Sequence, residues 1–251
     1  MIEQAHRQMA SRLARIRRRQ ARVGTVDSPL GRLLVAMSGA GLAMIYFLDV
    51  PQASAAEAIA MLRRRRFDVI EDGEAVAPVG EEIRRFLGGD LSALVTPVDL
   101  SLVESPFQRR VLERLRKVPA GAVMSYQGLA AAVGAPRASR AVGGTMASNP
   151  IPVYVPCHRV IRSDGSVGNY GGGVSSKLRL LRAEGFSIGT DRRVGEAAVF
   201  GHQRTHIYCR PSCSAARRAD PGRMMIFADA ARAERAGLRA CEQCRPGRAT
   251  G

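Results

Sequence analysis

Residues 125–146 read SYQGLAAAVGAPRASRAVGGTM, and this stretch predicts the fold of the central part of the chain. Ser125 is a favourable N-cap for a helix over residues 126–133. The residues Gly134-Ala-Pro136 then turn the chain. A further helix is predicted from Arg137 to about Met146. Two helices joined by a short glycine-containing turn form the helix-turn-helix outline.

The second of these helices carries almost no large side chains. Glycine in a helix interior costs about 1 kcal/mol relative to alanine, so something is expected to approach this helix closely. One interpretation is packing against a neighbouring helix. The other is close approach to a nucleic-acid groove, even the narrow minor groove, with Arg140 as the protruding cation. The small residues at issue are Ala138, Ala141, Gly143 and Gly144.

The segment Ile151-Pro-Val-Tyr-Val-Pro-Cys-His-Arg-Val160 places a thiol beside an imidazole. Pro152 and Pro156 fix φ and bias the residues before them toward extended backbone, so a stiff extended segment is expected. A thiol with a pKa of about 8.5 is mostly protonated at neutral pH and needs a base to act as a nucleophile. Because neighbours on an extended segment point to opposite faces, Cys157 and His158 are expected to communicate through a bridging water.

A glycine-rich segment follows, from Asp164 to Gly173, and a last helix of this region begins near Lys177 and ends near Gly185. Glycines beside a nucleophile favour a pocket wall against which a flat group can lie, and a flexible loop is the alternative. The residues expected at this pocket are Val167, Tyr170, Gly171, Gly172 and Lys177.

The N-terminal part of the chain predicts an α/β scaffold without a catalytic cluster. Short β-rich segments separated by tight turns predict an antiparallel meander over residues 23–48. Further along, the patterns predict a helix over 52–66, a strand over 67–70, a helix over 79–87, a strand over 95–102 and a helix from 105 to about 117. Residues 2–22 predict a basic helix.

The chain has 251 residues and a formal charge of +16, and only two of its 38 basic residues are lysines. Residues 1–22 hold seven arginines against one acid, and residues 186–251 hold twelve against six. Nucleic acid is a partner that would account for this charge, and a codon bias toward arginine is the alternative. No apolar run approaches the ~20 residues of a membrane span, and no signal peptide is recognised. A cytoplasmic protein with reduced thiols is therefore expected.

Four of the five cysteines form the pattern C-x3-C…C-x2-C near the C-terminus. In a reduced compartment, four thiolates at this spacing predict a structural zinc site made of Cys209, Cys213, Cys241 and Cys244. The nearby His202 and His206 are expected not to be ligands, because four cysteines complete a tetrahedron. The predicted domains are a basic extension (1–22), the scaffold (23–100), a helix-turn-helix domain (101–186), a linker (187–196) and a zinc domain (197–248).

The central motifs resemble the O6-alkylguanine-DNA alkyltransferases over roughly residues 24–186. The segments that carry the resemblance are Pro156-Cys-His-Arg-Val160, Ser125-Tyr-Gln-Gly-Leu-Ala130, Arg140-Ala-Val-Gly-Gly144, Asn149-Pro150, Val167-Gly-Asn-Tyr170 and Leu180-Leu-Arg-Ala-Glu-Gly185. It implies an RNase H-like N-terminal sheet and a winged-helix-like second domain. It also implies that a damaged base, O6-alkylguanine or O4-methylthymine, is flipped out of double-stranded DNA from the minor groove, and that its alkyl group moves irreversibly to a cysteine.

The resemblance also implies residue roles. Cys157 would accept the alkyl group, His158 would be the base and Glu184 would orient the imidazole. Asn149 would support the site, and Tyr126 would lie near the flipped nucleotide and protonate the leaving guanine, with Lys177 as the alternative donor. Arg140 would fill the gap in the base stack, with Ala138, Ala141, Gly143 and Gly144 at the DNA surface. Gly171 stands where the family often has serine or another polar residue, which leaves the alkyl-size preference open.

The C-terminal motifs resemble the metal-binding domain of the Ada protein, through Arg204-Thr-His-Ile-Tyr-Cys-Arg-Pro-Ser-Cys213, Ala236-Gly-Leu-Arg239 and Cys241-Glu-Gln-Cys-Arg-Pro246. The resemblance implies that Cys209 accepts a methyl group from DNA methyl phosphotriesters, with the other three cysteines as its zinc partners. The segment before Phe200 is shorter than in that family, and no AraC-type activator module follows Cys244, so self-regulated transcription is not expected. Active phosphotriester repair and a structural or DNA-docking zinc domain both remain open.

The favoured hypothesis is a DNA repair alkyltransferase, consumed stoichiometrically, that acts as a monomer in the cytoplasm at the nucleoid without an organic cofactor. A DNA-binding sensor of alkylation is the alternative from a different class. A Cys-His hydrolase is disfavoured because no segment resembles an oxyanion-hole motif.

Overall fold

The structure is a computed structural model that describes residues 19–195 and 197–246. Its first sheet has the strand order β3-β2-β1-β4, with β4 parallel to β1 and the other pairs antiparallel. The strands are β1 (Arg19–Ser28), β2 (Gly31–Ser38), β3 (Gly41–Phe47) and β4 (Phe67–Glu71). The predicted meander and the following strand are confirmed.

The predicted basic helix over residues 2–22 is wrong for its last four residues, which belong to β1. Ala21 and Val23 are buried while Gln20 and Arg22 are exposed, and this alternation is that of a strand with one face on the core. Residues 1–18 of that prediction lie outside the described part of the chain.

Two helices pack on this sheet, α1 (Ala55–Arg64) and α2 (Gly73–Leu87). The second helix begins six residues before the predicted start, because the Asp72 side chain accepts a hydrogen bond from Ala75 N and caps it there. The predicted strand over 95–102 is wrong. Its end is a 3-10 turn, Leu100–Leu102, and Asp99 accepts the Ser101 N–H that a strand partner would otherwise take.

The second region contains the predicted helix-turn-helix. Its elements are α3 (Pro106–Leu115), β5 (Ala122–Ser125), α4 (Tyr126–Ala132), α5 (Ser139–Ala147), β6 (Val160–Ile161) and α6 (Gly173–Ala183). Ser105 and Ser125 cap α3 and α4 through their side-chain oxygens, as expected. The turn between α4 and α5 contains Gly134, whose φ of +78° favours glycine.

The C-terminal module, residues 197–246, shares a sheet with the helix-turn-helix region. Its elements are β7 (Val199–His202), β8 (Ile207–Cys209), α7 (Ser214–Arg217), a 3-10 turn (Pro221–Arg223), β9 (Met224–Phe227), α8 (Ala230–Arg235) and β10 (Arg239–Ala240). The sheet has the order β10-β8-β7-β9-β5-β6. Ala122 and Val123 of β5 pair antiparallel with Phe227 and Ile226 of β9.

The segment predicted as a linker takes part in two isolated β-bridges. Ile188 and Val194 form a bridge with each other, and Ser166 pairs with Arg193, so the segment folds back onto the glycine-rich loop. Five buried side chains of the C-terminal module belong to the same cluster as the helix-turn-helix core: Val199, Tyr208, Met225, Phe227 and Ala233. None of the helices in the described ranges is long and apolar enough to cross a membrane.

Candidate functional site

Asn149, just after α5, organises the loop that carries Cys157. Its Nδ2 donates to the carbonyl of Val155 at 2.8 Å and to the Cys157 sulfur at 3.1 Å. Its Oδ1 accepts from the backbone of Ile151 at 3.1 Å. One amide side chain therefore closes the loop and contacts the thiol.

The expectation that Cys157 follows a stiff, extended segment is wrong. Val155 N donates to Ile151 O at 2.9 Å, which folds the segment into a turn, and Cys157–Arg159 form a 3-10 turn. Val153 has a φ of +76°, a strained conformation for a β-branched residue. The proline pattern did not reveal this because the turn depends on side-chain bonds, from Asn149 beside it and from the Tyr154 hydroxyl, which donates to the distant, buried Glu82 of α2 at 2.6 Å.

Glu184, at the end of α6, joins the groups behind the thiol. His158 Nε2 donates to its Oε1 at 2.8 Å, and Arg159 contacts the same oxygen through Nε at 2.8 Å and Nη2 at 2.7 Å. Gly121 N donates to the other oxygen at 3.0 Å. Burial alone would raise the pKa of Glu184, but the charges and hydrogen bonds of His158 and Arg159 lower it to about 2. The carboxylate is therefore fixed and ionised.

Arg159 was missed as a site residue by the sequence reasoning, although it lies inside the quoted motif. It is almost fully buried, and its Nη1 also donates to Val118 O at 2.6 Å. A buried guanidinium needs a carboxylate partner, and here Glu184 supplies it. The one feature of the sequence that indicates this contact with Glu184 is the position of Arg159 directly after Cys157 and His158.

His158 is fully buried, and burial lowers its pKa more strongly than Glu184 raises it. The imidazole is therefore neutral at neutral pH. Because Nε2 donates to Glu184, Nδ1 is the accepting nitrogen. Nδ1 is buried and has no partner among the described residues. This nitrogen is positioned to take a proton.

Cys157 is 6% exposed, and burial raises the pKa of its thiol against the lowering effects of Asn149 and of the positive charge on Lys177. Lys177 is fully buried, and its Nζ donates to Val160 O at 2.6 Å. Burial lowers the pKa of Lys177 to about 8. The site therefore combines a thiol that resists ionisation with a neighbouring cation that favours the thiolate.

A cavity of about 360 Å3 opens at the Cys157 sulfur. Its lining residues are Tyr126, Gly143, Met146, Ala147, Cys157, Asn169, Tyr170 and Gly171. Burial, followed by the charge of Cys157, raises the pKa of both tyrosines, so both remain proton donors. Five of the lining residues were predicted site residues, Tyr126, Gly143, Cys157, Tyr170 and Gly171. Met146, Ala147 and Asn169 were not predicted, and of these only Asn169 lies in a recognisable motif.

Three residues expected at the pocket are not among its lining residues: Val167, Gly172 and the buried Lys177. Val167 is fully buried in a cluster that contains Val123 and Ile161. A Cβ on Gly172 would lie 2.5 Å from Cζ of Phe47, so glycine is required for that ring to approach. The Phe47 ring in turn meets Tyr170 edge-on with centroids 5.8 Å apart. The N-terminal sheet therefore supports one wall of the cavity through β3.

The outer face of α5 is open. Added Cβ atoms on Gly143 and Gly144 would meet nothing within 4 Å, so these glycines are not needed for packing against a neighbouring helix. Arg140, Ala141 and Gly144 are exposed, and Ala138 is half-buried at the N-cap. Of the two interpretations of the small residues, internal packing is therefore wrong.

The four C-terminal cysteines form one cluster, with all sulfur atoms within 4.8 Å of one another. Zn–S bonds of about 2.3 Å place tetrahedral sulfurs about 3.8 Å apart, so these residues fit a zinc ion. Arg210 N donates to the Cys244 sulfur at 3.4 Å, a backbone contact typical of thiolate sites. His202 lies outside the cluster, and its Nδ1 accepts from Thr205 N at 3.2 Å.

A cavity of about 520 Å3 borders this cluster on one side. Two of the four cysteines, Cys209 and Cys241, line it. The charged side chains of its wall are Arg204, Arg218, Asp220 and Arg223. A basic wall beside two of the sulfurs suits an anionic ligand.

Two family descriptions match the chain. Residues 106–186 match "6-O-methylguanine DNA methyltransferase, DNA binding domain", and residues 188–247 match "Metal binding domain of Ada". Together they cover the helix-turn-helix region with the Cys157 loop, and the four-cysteine cluster.

Known relatives are similar over about two thirds of the chain. The methylated-DNA–protein-cysteine methyltransferase of Rattus norvegicus is 41% identical over 179 residues, which cover 65% of this chain and 82% of the relative. The bifunctional transcriptional activator/DNA repair enzyme Ada of Escherichia coli (strain K12) is 36% identical over 165 residues, 65% of this chain and 45% of that protein. The crystal structure of Mycobacterium tuberculosis OGT in complex with DNA superposes with a TM-score of 0.52 at 32% identity, over 66% of this chain and 92% of that chain. The chain therefore belongs to the methylated-DNA–protein-cysteine methyltransferase family and carries an Ada-type metal-binding domain after the methyltransferase region.

Proposed function

We propose that this protein repairs alkylated DNA directly, by moving the O6-alkyl group of guanine, and the methyl group of O4-methylthymine, to the sulfur of Cys157. The observation that carries the proposal is the cavity that opens on this sulfur, beside the buried His158–Glu184 pair and under the open face of α5. The carbon–oxygen bond of the lesion breaks as the sulfur–carbon bond forms. No step regenerates the thiol, so each molecule reacts once.

The thiol proton leaves toward His158. The unpartnered Nδ1 of this imidazole is the acceptor, reached through a bridging water, and the resulting imidazolium is stabilised by Glu184. Arg159 keeps the carboxylate ionised throughout, because its guanidinium contacts the same oxygen. The leaving guanine needs a proton, and Tyr126 or Lys177 supplies it from the wall of the site or from just behind it.

The base reaches Cys157 by leaving the DNA stack. The cavity volume lies within the range of about 300–1,000 Å3 that is typical of small-molecule sites. Flipping costs a few kcal/mol of stacking, which Arg140 offsets when it enters the gap. The small outer face of α5 supports approach to the minor groove of double-stranded DNA by a single copy of the chain.

The finer fold assignments belong to the same proposal. The sheet order β3-β2-β1-β4, with parallel β1 and β4, supports an RNase H-like N-terminal domain. Helices α4 and α5 with the short strands β5 and β6 support a winged-helix-like second domain. A cytoplasmic, nucleoid-associated protein that needs no organic cofactor fits this chemistry.

Transfer of label tests the repair proposal. Duplex DNA that carries O6-[methyl-labelled]guanine should lose one label per protein molecule, and the label should be found in the peptide that contains Cys157. If the protein binds the lesion tightly yet takes up no label, it is a sensor of alkylation and the repair proposal fails.

We further propose that Cys209 accepts methyl groups from methyl phosphotriesters in DNA. A bound zinc ion would keep the four sulfurs deprotonated and so make them nucleophilic. Of these sulfurs, only Cys209 and Cys241 line the basic cavity, which suits an approaching DNA backbone. Duplex DNA with labelled methyl phosphotriesters should label Cys209 in the zinc-loaded protein. If it labels no cysteine, the zinc domain is structural or serves DNA docking.

Replacement of Gly144 with alanine should separate stability from DNA binding. The new Cβ meets open space, so the free energy of unfolding should rise by up to about 1 kcal/mol. The same methyl group would stand on the DNA-facing surface and should weaken binding to duplex DNA. Chemical denaturation and binding isotherms measure the two effects. Equal DNA affinity of the variant and the wild type would show that DNA does not approach this face.

In the pH profile of the transfer rate, the acid limb should lie below pH 6.5. Transfer needs a neutral His158, and burial lowers the pKa of this imidazole below its ordinary value. The rate should therefore stay constant as the pH falls from 7.5 to 6.5 and decrease only under more acidic conditions. Single-turnover transfer assays at constant ionic strength measure this pH dependence of the rate. A midpoint at or above pH 6.5 would contradict His158 as a buried, neutral base.

A further inference from the structure

The C-terminal module contacts the residues that hold Glu184. Gly121 donates through its N–H to Glu184 Oε2 at 3.0 Å, and the carbonyl of the same residue accepts from Ala228 N of the C-terminal module at 2.9 Å. The pairing of β5 with β9 continues directly from this contact. The backbone that holds one carboxylate oxygen is therefore itself held by the C-terminal module.

Arg232 of α8 lies across the same corner. A Cβ on Gly121 would lie 2.7 Å from Arg232 Nε, and a Cβ on Gly185 would lie 2.7 Å from Arg232 Nη1. Both glycines have positive φ, of +76° and +90°, so neither position accommodates a side chain. Gly185 directly follows Glu184 in the chain. The arginine side chain therefore covers the backbone on both sides of the Glu184 carboxylate.

The environment of Arg232 differs from that of a surface arginine. Its side chain is 21% exposed and pairs with Asp229, one turn earlier. Its Nε is buried and has no hydrogen-bond partner among the residues that the structure describes. The ion pair offsets part of the cost of burying the guanidinium, but a buried N–H without a hydrogen-bond partner still costs free energy. The Arg232 side chain seals the corner at which Glu184 meets Gly121.

We propose that Arg232 is a positioning residue for the Glu184–His158 pair, so that the C-terminal module forms part of the Cys157 site. Arg232 does not touch the reacting atoms. It keeps water away from Glu184 and fixes the Gly121 N–H that binds the carboxylate. The inference rests on the proposed alkyl transfer at Cys157 but is independent of any methyl transfer at Cys209.

Loss of Arg232 changes the surroundings of His158 in one direction. The charged groups that act on this imidazole are Glu184 and Lys177 from the end and the body of α6, and Arg159 from its own turn. Burial is the largest effect on the pKa of His158 and lowers it, so admitting water at this corner favours the protonated imidazole. The pKa of His158 should therefore rise, and the acid limb of the transfer rate should move to higher pH.

Arg232→Ala tests this inference in the full-length, zinc-loaded protein. The single-turnover rate of transfer from O6-methylguanine duplex to Cys157 should fall about tenfold at neutral pH through loss of positioning. The pH below which the transfer rate falls should be higher than in the wild type. The zinc content should equal that of the wild type, because Arg232 lies outside the four-cysteine cluster. Arg235→Ala is the matched control, since Arg235 lies on the same helix and is exposed, and it should leave rate, pH profile and zinc content unchanged.

The outcomes separate the inference from the repair function. Wild-type protein that takes up no label would overturn alkyl transfer itself. Wild-type protein that reacts while Arg232→Ala matches it in rate and pH profile would overturn only the role of Arg232, as would an equal loss in Arg235→Ala. If the alanine variant loses zinc, Arg232→Gln replaces it. This variant keeps part of the chain without the charge, and a wild-type rate and acid limb there would overturn the inference.

Discussion

Replacing Cys157 with alanine is expected to abolish transfer from O6-methylguanine DNA while leaving the protein folded. The thiol is the only group among the lining residues of the cavity that can form a thiolate; the Met146 thioether is a neutral, weaker nucleophile, and the polar groups are the hydroxyls of Tyr126 and Tyr170 and the Asn169 amide. Burial keeps both tyrosines protonated, so neither can substitute for the sulfur. Single-turnover assays with labelled duplex should detect no uptake at this site.

The alanine variant also contains its own control. Cys157 and Cys209 belong to separate clusters, so the zinc content should be unchanged. Binding to lesion-containing duplex should persist, because the outer face of α5 is unaltered. Transfer of label to another residue at a comparable rate would show that Cys157 is not the acceptor. Loss of DNA binding together with transfer would instead point to a folding defect, which thermal unfolding detects.

Glu184→Gln is expected to damage both stability and reaction. The substitution leaves the Arg159 guanidinium buried without a counter-charge, and breaking a buried ion pair in this way costs about 3–5 kcal/mol. It also removes the charge that stabilises an imidazolium at His158, which should slow transfer by about 100-fold or more. Chemical denaturation and single-turnover transfer measure the two effects.

Glu81→Gln is the matched control for this substitution. Glu81 is more than half exposed and pairs with Arg84 on the surface of α2, where such pairs contribute about 0–1 kcal/mol. It should leave the transfer rate unchanged. If Glu184→Gln is as stable and as reactive as Glu81→Gln, then Glu184 neither balances Arg159 nor assists His158.

Local signals in the sequence were enough to predict several parts of this molecule. The cap at Ser125 and the turn at Gly134 predicted the helix-turn-helix, because both depend on residues within a few positions of one another. The spacing of the four cysteines likewise predicted their cluster. The motif around Cys157, with Glu184 from the C-terminal helix motif, led to the buried pair through family resemblance.

The errors arose where distant residues decide the local conformation. The loop before Cys157 folds because the distant Glu82 binds the Tyr154 hydroxyl while the neighbouring Asn149 closes the turn, and proline preferences alone favoured an extended chain. Pairing of β5 with β9 joins segments about a hundred residues apart, for which a single sequence carries no local signal. Val167 was expected at the pocket because it shares a motif with Tyr170, but it faces the core behind that wall.

The surface chemistry of α5 determines how such a protein searches a genome. The hydroxyl of Thr145 donates to Ala141 O at 3.0 Å and that of Ser148 to Gly144 O at 2.9 Å, so both are engaged by the helix itself. Arg140 is then the one charged side chain that this helix offers to base edges, which are read through donors and acceptors. A surface of this kind would bind duplex DNA through its shape and not through its base sequence. In the proposed mode of binding, discrimination falls on the single base that enters the cavity, and damage should therefore be recognised in any sequence context.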